Sequence, residues 1–212
     1  HEYSQCKEIG FLILGILIHM TARTHDMAAV TLLLAAVIAV KPETMTVATA
    51  LAALLANQLG GIAPDIDQPT APLWRNLPIG RYLGKVFGAL VGGHRFLSHS
   101  LLGLALFAFL SRLLLDFIQS IIPRIDIDFV WLAFILGVIS HLIMDSFTKE
   151  GVPFLLPLPY KFGIPPIRAW RITTGKKIEM LVVLPLLIGL TVWLCAENYS
   201  TLAVLVQNKL VK

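Results

Sequence analysis

Apolar stretches separated by short polar breaks run along most of the chain. The apolar runs cover residues 9–20, 27–40, 44–59, 97–118, 129–147 and 178–196. The first is shorter than the roughly 20 residues that cross a bilayer, and the second and third suit a tight hairpin of tilted or partly inserted helices. The pattern predicts an all-α, polytopic integral membrane protein with about five to six apolar helices.

The breaks between the first four runs are polar or rich in glycine and proline. Residues 21–26 form a polar break, and residues 60–69 combine two glycines and two prolines with an Asp-x-Asp pair, which predicts a loop. Residues 70–85 are expected to be irregular or interfacial. Their aromatic residues Trp74 and Tyr82 fit the headgroup zone of a membrane.

Composition supports the membrane class. Hydrophobic residues make up 57% of the 212 residues, and the mean hydropathy is +0.79. The formal charge of +4 and the pI near 9.2 fit basic loops that face anionic lipid. No basic run with interleaved aromatic residues indicates nucleic-acid binding. The two cysteines, Cys6 and Cys195, lie far apart and predict neither a disulfide framework nor a thiolate zinc site.

A polar cluster interrupts this apolar chain at residues 93–100. It holds His94, Arg95 and His99 directly before an apolar run. Titratable groups beside hydrocarbon are costly unless they pair or bind a metal, so a metal site is one interpretation. The other is a helix start capped by Ser98 or Ser100, with two ordinary surface histidines.

Further candidate ligands lie elsewhere in the chain. His141 and Asp145 share one helix face at i and i+4, and an extended loop would place Asp65 and Asp67 on the same side. With these the predicted metal ligands are His25, Asp65, Asp67, His94, His99, His141 and Asp145. Seven nitrogen and oxygen ligands suit two ions, and the imidazoles favour Zn, Mn or Fe over Mg.

The chemistry of such a site suggests phosphoester hydrolysis. Paired ions activate water and stabilise the leaving oxygen of a phosphoester. Arg95 is predicted to stabilise negative charge on the phosphate, so that Arg95 and Asp67 are the predicted catalytic residues. Lys161 and Arg168, in a basic loop, are predicted to help bind the substrate, although this loop could equally be an anchor that obeys the positive-inside rule.

Charge also predicts the orientation. We call the side of the membrane that holds His94 and His99 the ligand face. The order of the helices places every other candidate ligand on this face, with residues 148–177. Eleven of the 17 basic residues then lie there and six on the other side, which predicts that the ligand face is cytoplasmic. Asp126 and Asp128 fall on the opposite side as loop residues.

Each candidate also has a simpler interpretation. A His-x-x-x-Asp pair on a helix is often a solvated ion pair. Asp65 and Asp67 could be turn residues beside Pro64, and His25 could be a helix cap.

Four motifs in order resemble the YdjM-type family of bacterial inner-membrane proteins, some of them under LexA (SOS) control. They are Met20-Thr-Ala with His25, Ala63-Pro-Asp-Ile-Asp67, Gly93-His-Arg with Ser98-His-Ser100, and His141-xxx-Asp145-xx-Thr148-xx-Gly151-Val-Pro153. The resemblance covers Met20 to Ile178 and implies a metal-dependent hydrolase. Gln68 stands where members usually have His, which removes that position as a ligand. Because Met20 matches the start of family members, we expect residues 1–19 to be a dispensable apolar extension, residues 20–196 one membrane-embedded domain, and residues 197–212 a tail.

The sequence therefore predicts a membrane-bound hydrolase that holds one to three divalent ions and cleaves a (phospho)ester of a lipid or lipid-linked substrate. The expected partners are membrane lipid and that substrate, without nucleic acid, and the oligomeric state stays open. A divalent-cation transporter or channel is the main alternative, although transporters place such ligands near the bilayer midplane. A non-catalytic membrane module with a structural metal is the other.

Overall fold

The structure is a computed structural model, and it describes residues 20–42, 45–71, 74, 77–90, 92, 95–121, 125–158 and 160–210. In this part of the chain seven α-helices follow one another: α1 Met20–Val40, α2 Val47–Ile62, α3 Gly80–Leu90, α4 Leu101–Gln119, α5 Ile127–Ser146, α6 Leu184–Glu197 and α7 Tyr199–Leu210. Short 3-10 turns form at Pro64–Asp67 and Arg168–Trp170, and a π-helical segment, Glu179–Val183, leads directly into α6.

In the part of the chain that the structure describes, four segments are long and apolar enough to cross a membrane: Arg23–Val40, Leu101–Gln119, Ile127–Ser146 and Glu179–Glu197. Helix α2 is a fifth apolar helix but a shorter one. The expected all-α, polytopic membrane architecture is confirmed. The run at residues 9–20 lies outside the described residues.

Helix α5 occupies the centre of the bundle and packs most extensively on α2, with further contacts to α1 and α4. Glycines bring the α2 and α5 backbones together: a Cβ atom at Gly60 would lie 2.1 Å from the carbonyl oxygen of Phe134, and one at Gly137 would lie 2.1 Å from that of Asn57. The buried Asn57 amide donates to the carbonyl oxygen of Ala133 at 3.0 Å. This contact fixes the register of the two helices that flank the candidate site.

Two helix starts differ from the sequence prediction. Residues 21–26, predicted as a polar break, belong to α1, because Thr24 and His25 turn towards the interior of the bundle and are not in water. The helix predicted from residue 97 begins only at Leu101, where the Ser100 hydroxyl accepts from the Gly103 N–H at 3.0 Å. Ser100 is therefore the N-cap, and residues 95–100 form a turn that holds His99.

The region predicted as irregular or interfacial contains a helix, α3, and a buried tryptophan. Trp74 is only 9% exposed, and its indole N–H donates to the carbonyl oxygen of Ile66 at 2.7 Å. Trp74 packs beneath α3 and supports the Pro64–Asp67 turn, and its expected place in the headgroup zone stays a prediction. Tyr82, on α3, is exposed, and its expected place in the headgroup zone also stays a prediction.

Candidate metal centre

Five of the predicted ligands, from four segments of the chain, meet at one end of the bundle. His25 lies near the start of α1, Asp65 in the turn after α2, His99 just before α4, and His141 and Asp145 near the end of α5. Among the described residues, two sets of ligands are compact enough to share an ion, and the ligand atoms within each set lie within 4.8 Å of one another. His25, His141 and Asp145 form one set, and Asp65, His99 and His141 form the other. His141 is common to both.

A backbone carbonyl on the side of the ring away from the other ligands fixes the orientation of His141. Its Nδ1 lies 2.6 Å from the carbonyl oxygen of Gly61, and because a carbonyl only accepts, Nδ1 carries the proton. Nε2 therefore presents a lone pair towards the other ligands. It lies 3.7 Å from Asp65 Oδ1 and 3.7 Å from Asp145 Oδ2. A backbone carbonyl behind the ring is the usual support of a metal-binding histidine.

This arrangement fits a cation better than a hydrogen-bond network. His141 Nε2 and Asp145 Oδ2 are both buried without a hydrogen-bond partner among the described residues. A neutral imidazole whose proton is on Nδ1 cannot donate from Nε2, so three electron-rich atoms face one another. Acceptor atoms that face one another without a donor or a cation between them cost free energy, and a divalent ion would provide a partner for all three atoms. Nitrogen and oxygen donors of this kind suit Zn, Mn or Fe.

His99 lies on the other side of the cluster. Its Nε2 is 3.2 Å from Asp145 Oδ2 and 3.7 Å from Asp65 Oδ1, while its Nδ1 is 2.9 Å from the Ser98 hydroxyl. Burial lowers the pKa of His99, but the carboxylates of Asp145 and Asp67 outweigh it and raise that pKa to about 9. His99 therefore holds a proton while no ion is bound, and a divalent ion bound through its Nε2 would have to replace that proton.

Asp67 has a different place from the one predicted. Pro64–Asp67 is a 3-10 turn, not an extended loop, so the two carboxylates do not share a side. Asp67 Oδ2 accepts from the backbone N–H of Arg95 at 3.0 Å and from the Ser98 hydroxyl. Asp67 is absent from both ligand sets among the described residues. Its Oδ2 lies 3.7 Å from His99 Nδ1, and it also supports His99 through the Ser98 hydroxyl.

Arg95 is buried, and its guanidinium contacts the cluster. Nη2 donates to Asp145 Oδ1 at 2.9 Å, and Nη1 donates to Thr148 Oγ1 at 2.9 Å. The Thr148 hydroxyl in turn donates to the Asp145 carbonyl at 2.8 Å. Arg95 therefore fixes one carboxylate oxygen of Asp145 and leaves the other facing His141 and His99. Its predicted contact with a phosphate stays a prediction.

The other residues singled out in the sequence either lie away from the cluster or are not among the described residues. His94 is not among the described residues. Lys161 and Arg168 are exposed, and the Arg168 Nε donates to the Lys149 carbonyl at 3.1 Å. Asp126 caps α5, accepting from the Phe129 N–H at 3.1 Å, so it is a cap and not a loop residue. Asp128 pairs with Arg112 about 25 Å along α5 from Asp145.

Sequence reasoning missed two supports. The Gly61 carbonyl has no sequence signal, because any residue would supply it. The sequence offers Ser98 or Ser100 as a helix cap, and only the position of Ser98 directly before His99 indicates its contact with the imidazole.

The profile of the YdjM inner membrane protein family matches residues 20–205. The chain belongs to this family. It is 30% identical over 180 residues to the uncharacterized protein YvsG of Bacillus subtilis (strain 168). The aligned region covers 85% of this chain and 95% of YvsG. It is also 30% identical over 135 residues to the inner membrane proteins YdjM of Escherichia coli (strain K12) and Shigella flexneri, covering 63% of this chain and 61% of each relative.

No solved structure matches the chain. The family match includes all five clustered ligands, which lie between His25 and Asp145. The family and its inner-membrane relatives agree with the four candidate membrane spans.

Proposed function

We propose that this YdjM family member is a membrane-bound, metal-dependent hydrolase that cleaves a (phospho)ester of a lipid or lipid-linked substrate. One observation carries the proposal: the Gly61 carbonyl sets the His141 tautomer so that Nε2 faces the Asp65 and Asp145 carboxylates. When bound, a divalent ion would supply Lewis acidity, which lowers the pKa of water and polarises a phosphoryl oxygen.

In this proposal, His141 limits the number of ions. Its Nδ1 is bonded to the Gly61 carbonyl, so only Nε2 is available, and one imidazole lone pair serves one ion. The two ligand sets share this residue and cannot each use it at once. The geometry favours one ion at His141, and a second would have to rely on the other members of the cluster. Zinc is our first choice, with Mn or Fe next.

The roles that we propose for these residues differ with the exposure of their side chains. His99, His141 and Asp145 are buried and would hold the ion, whereas the side chain of Asp65 is 35% exposed. Asp65 therefore marks the side from which substrate and water reach the cluster. Arg95 positions Asp145, and the exposed Lys161 and Arg168 are proposed to attract an anionic substrate.

A structural metal is the second candidate, and the deep burial of His99 and Asp145 favours it. Structural ions have closed ligand shells, whereas catalytic ions keep an open position. A cation transporter is less well supported, because the ligands lie at helix ends and not near the middle of the spanning segments.

Metal-dependent turnover tests the proposal. The full chain in lipid nanodiscs, stripped with EDTA and reloaded with Zn, Mn or Fe, is expected to hydrolyse fluorescent phospholipids or bis-p-nitrophenyl phosphate only when loaded. Asp65→Asn should reduce this activity at least tenfold, because it removes charge at the open side of the cluster. Asp128→Asn, at the far end of α5, is the matched control and should not change it.

The outcomes separate the candidates. A tightly bound metal without any turnover would replace the hydrolase by the structural module. Metal-dependent uptake of the ion into sealed vesicles would instead support the transporter. A protein without affinity for any of the three metals would remove the site altogether.

We also propose that the ligand face is cytoplasmic, as the basic residues predict. Single cysteines at Gln68 and Lys176, with Cys6 and Cys195 replaced by serine, should react with an impermeant maleimide only after the cells are opened. A cysteine at Lys41, in the turn between α1 and α2, should react in intact cells once the outer membrane is permeable. The reverse pattern would invert the orientation.

A further inference from the structure

Helix α3 carries three different stripes at a spacing of four residues. Gly80, Gly84 and Gly88 form the first, the basic pair Arg81 and Lys85 the second, and Tyr82, Val86 and Leu90 the third. Residues four apart share a helix face, so each stripe presents one chemistry along the helix.

The glycine stripe fixes which way the other two face. A Cβ atom at Gly84 would lie 2.8 Å from Trp74 Cδ1, and one at Gly88 would lie 2.5 Å from the carbonyl oxygen of Asp67. Helix α3 therefore rests directly on the Pro64–Asp67 turn, which carries Asp65 to the candidate metal centre. The basic and apolar stripes both point away from the protein.

The apolar stripe is uncovered. Tyr82 is 70% exposed, Leu90 79% and Val86 44%, and Leu83 beside them is also exposed. The helix has 11 residues, about 16 Å, and cannot cross a hydrocarbon core of about 30 Å. A short helix with one apolar and one basic side is suited to lie in the plane of the membrane interface.

The basic stripe has no counter-charge within the described part of the chain. The helix contains no acidic residue, and neither Arg81 nor Lys85 has a carboxylate partner among the described residues. Two like charges four residues apart repel, so an external anion would stabilise them. When the apolar stripe is in lipid, the adjacent basic side chains reach the level of the phosphates.

We propose that α3 is an in-plane membrane helix that binds anionic phospholipid headgroups through Arg81 and Lys85, beside the candidate metal centre. The apolar stripe enters the acyl region, and the glycine stripe holds the helix on the turn that carries Asp65. The proposal does not require the site to be catalytic. If the site is a hydrolase, α3 brings anionic headgroups to its open side.

Spin-label depth in liposomes tests the placement of the helix. Nitroxides at Tyr82, Val86 and Leu90 should be several-fold more accessible to oxygen relative to a nickel chelate than nitroxides at Arg81 and Lys85. Labels at Leu102, Leu106 and Leu110 on the spanning helix α4 are the control and should show a steady change in depth, about 6 Å every four residues. Three results would overturn the proposal. They are a steady change in depth along α3, accessibilities on its apolar stripe equal to those in water, and an apolar stripe that neither oxygen nor the nickel chelate can reach.

Lipid preference tests the basic stripe. Native mass spectrometry of the full chain with phosphatidylglycerol or phosphatidylcholine should show preference for the anionic lipid. Arg81→Gln with Lys85→Gln should reduce this preference by roughly fivefold per charge. Arg81→Lys, which keeps the charge, and Lys41→Gln, in the turn between α1 and α2, should retain it. Unchanged preference in the double variant would refute headgroup binding by α3.

Discussion

Replacing His141 by alanine is expected to lower zinc affinity by roughly two to three orders of magnitude. Structural zinc sites bind with about 10–16 kcal/mol shared among four ligands, which gives about 2.5–4 kcal/mol per ligand. His141 is the member common to both ligand sets, so its loss affects either arrangement. Zinc affinity would be measured by competition with a chelating indicator on the full chain in detergent.

Asp145→Asn is the companion variant, because it keeps the shape of the side chain and removes its charge. Its Oδ1 atom can still accept from Arg95 while the ligand strength of the group falls. Asp128→Asn changes a carboxylate on the same helix, at its far end, and is expected to keep full affinity. Equal zinc affinity in all three variants would contradict the assignment of the site.

The membrane spans could be predicted from the sequence because length and hydropathy suffice for them. The start of α1 could not, since hydropathy does not distinguish a polar side chain in water from one that faces other polar groups inside a bundle. Thr24 is fully buried and His25 lies against His141, with ring centroids 4.5 Å apart. Polar residues 21–26 therefore resembled a break although they continue a helix.

The ligand pair on α5 was predictable because the helix is long and its period is regular. The Asp65 and Asp67 pair was not, because the outcome depended on local backbone. In a strand, residues two apart lie on one side; in a 3-10 turn with 3.0 residues per turn they differ by about 240°. Asp65 thus faces His99 and His141, while Asp67 bonds to the Arg95 N–H and to Ser98.

Helix α3 was missed because its glycines and the surrounding prolines resembled an irregular segment. Each glycine allows a close backbone contact, at Trp74 and at Asp67, that only the tertiary structure shows. The repeating spacing of four residues was visible in the sequence, but glycine is normally unfavourable inside a helix.

Gly137→Ala is expected to destabilise the protein by about 1–3 kcal/mol, the usual cost of overpacking. In an unobstructed helix the same change stabilises by up to about 1 kcal/mol, so the predicted effect has the opposite sign. The added Cβ would lie 2.1 Å from the Asn57 carbonyl oxygen, and the two backbones must separate to admit it. Separation would also stretch the bond between Asn57 and the Ala133 carbonyl.

The same variant should weaken metal binding although it touches no ligand. His141 lies one turn after Gly137, and its 2.6 Å bond to the Gly61 carbonyl depends on the close approach of α2 and α5. Thermal unfolding in detergent and zinc competition should therefore both change. Gly189→Ala on α6, where an added Cβ meets nothing within 4 Å, is the matched control and should lower neither. If Gly137→Ala behaves like Gly189→Ala in both measurements, the helix contact that orients His141 is not formed as described.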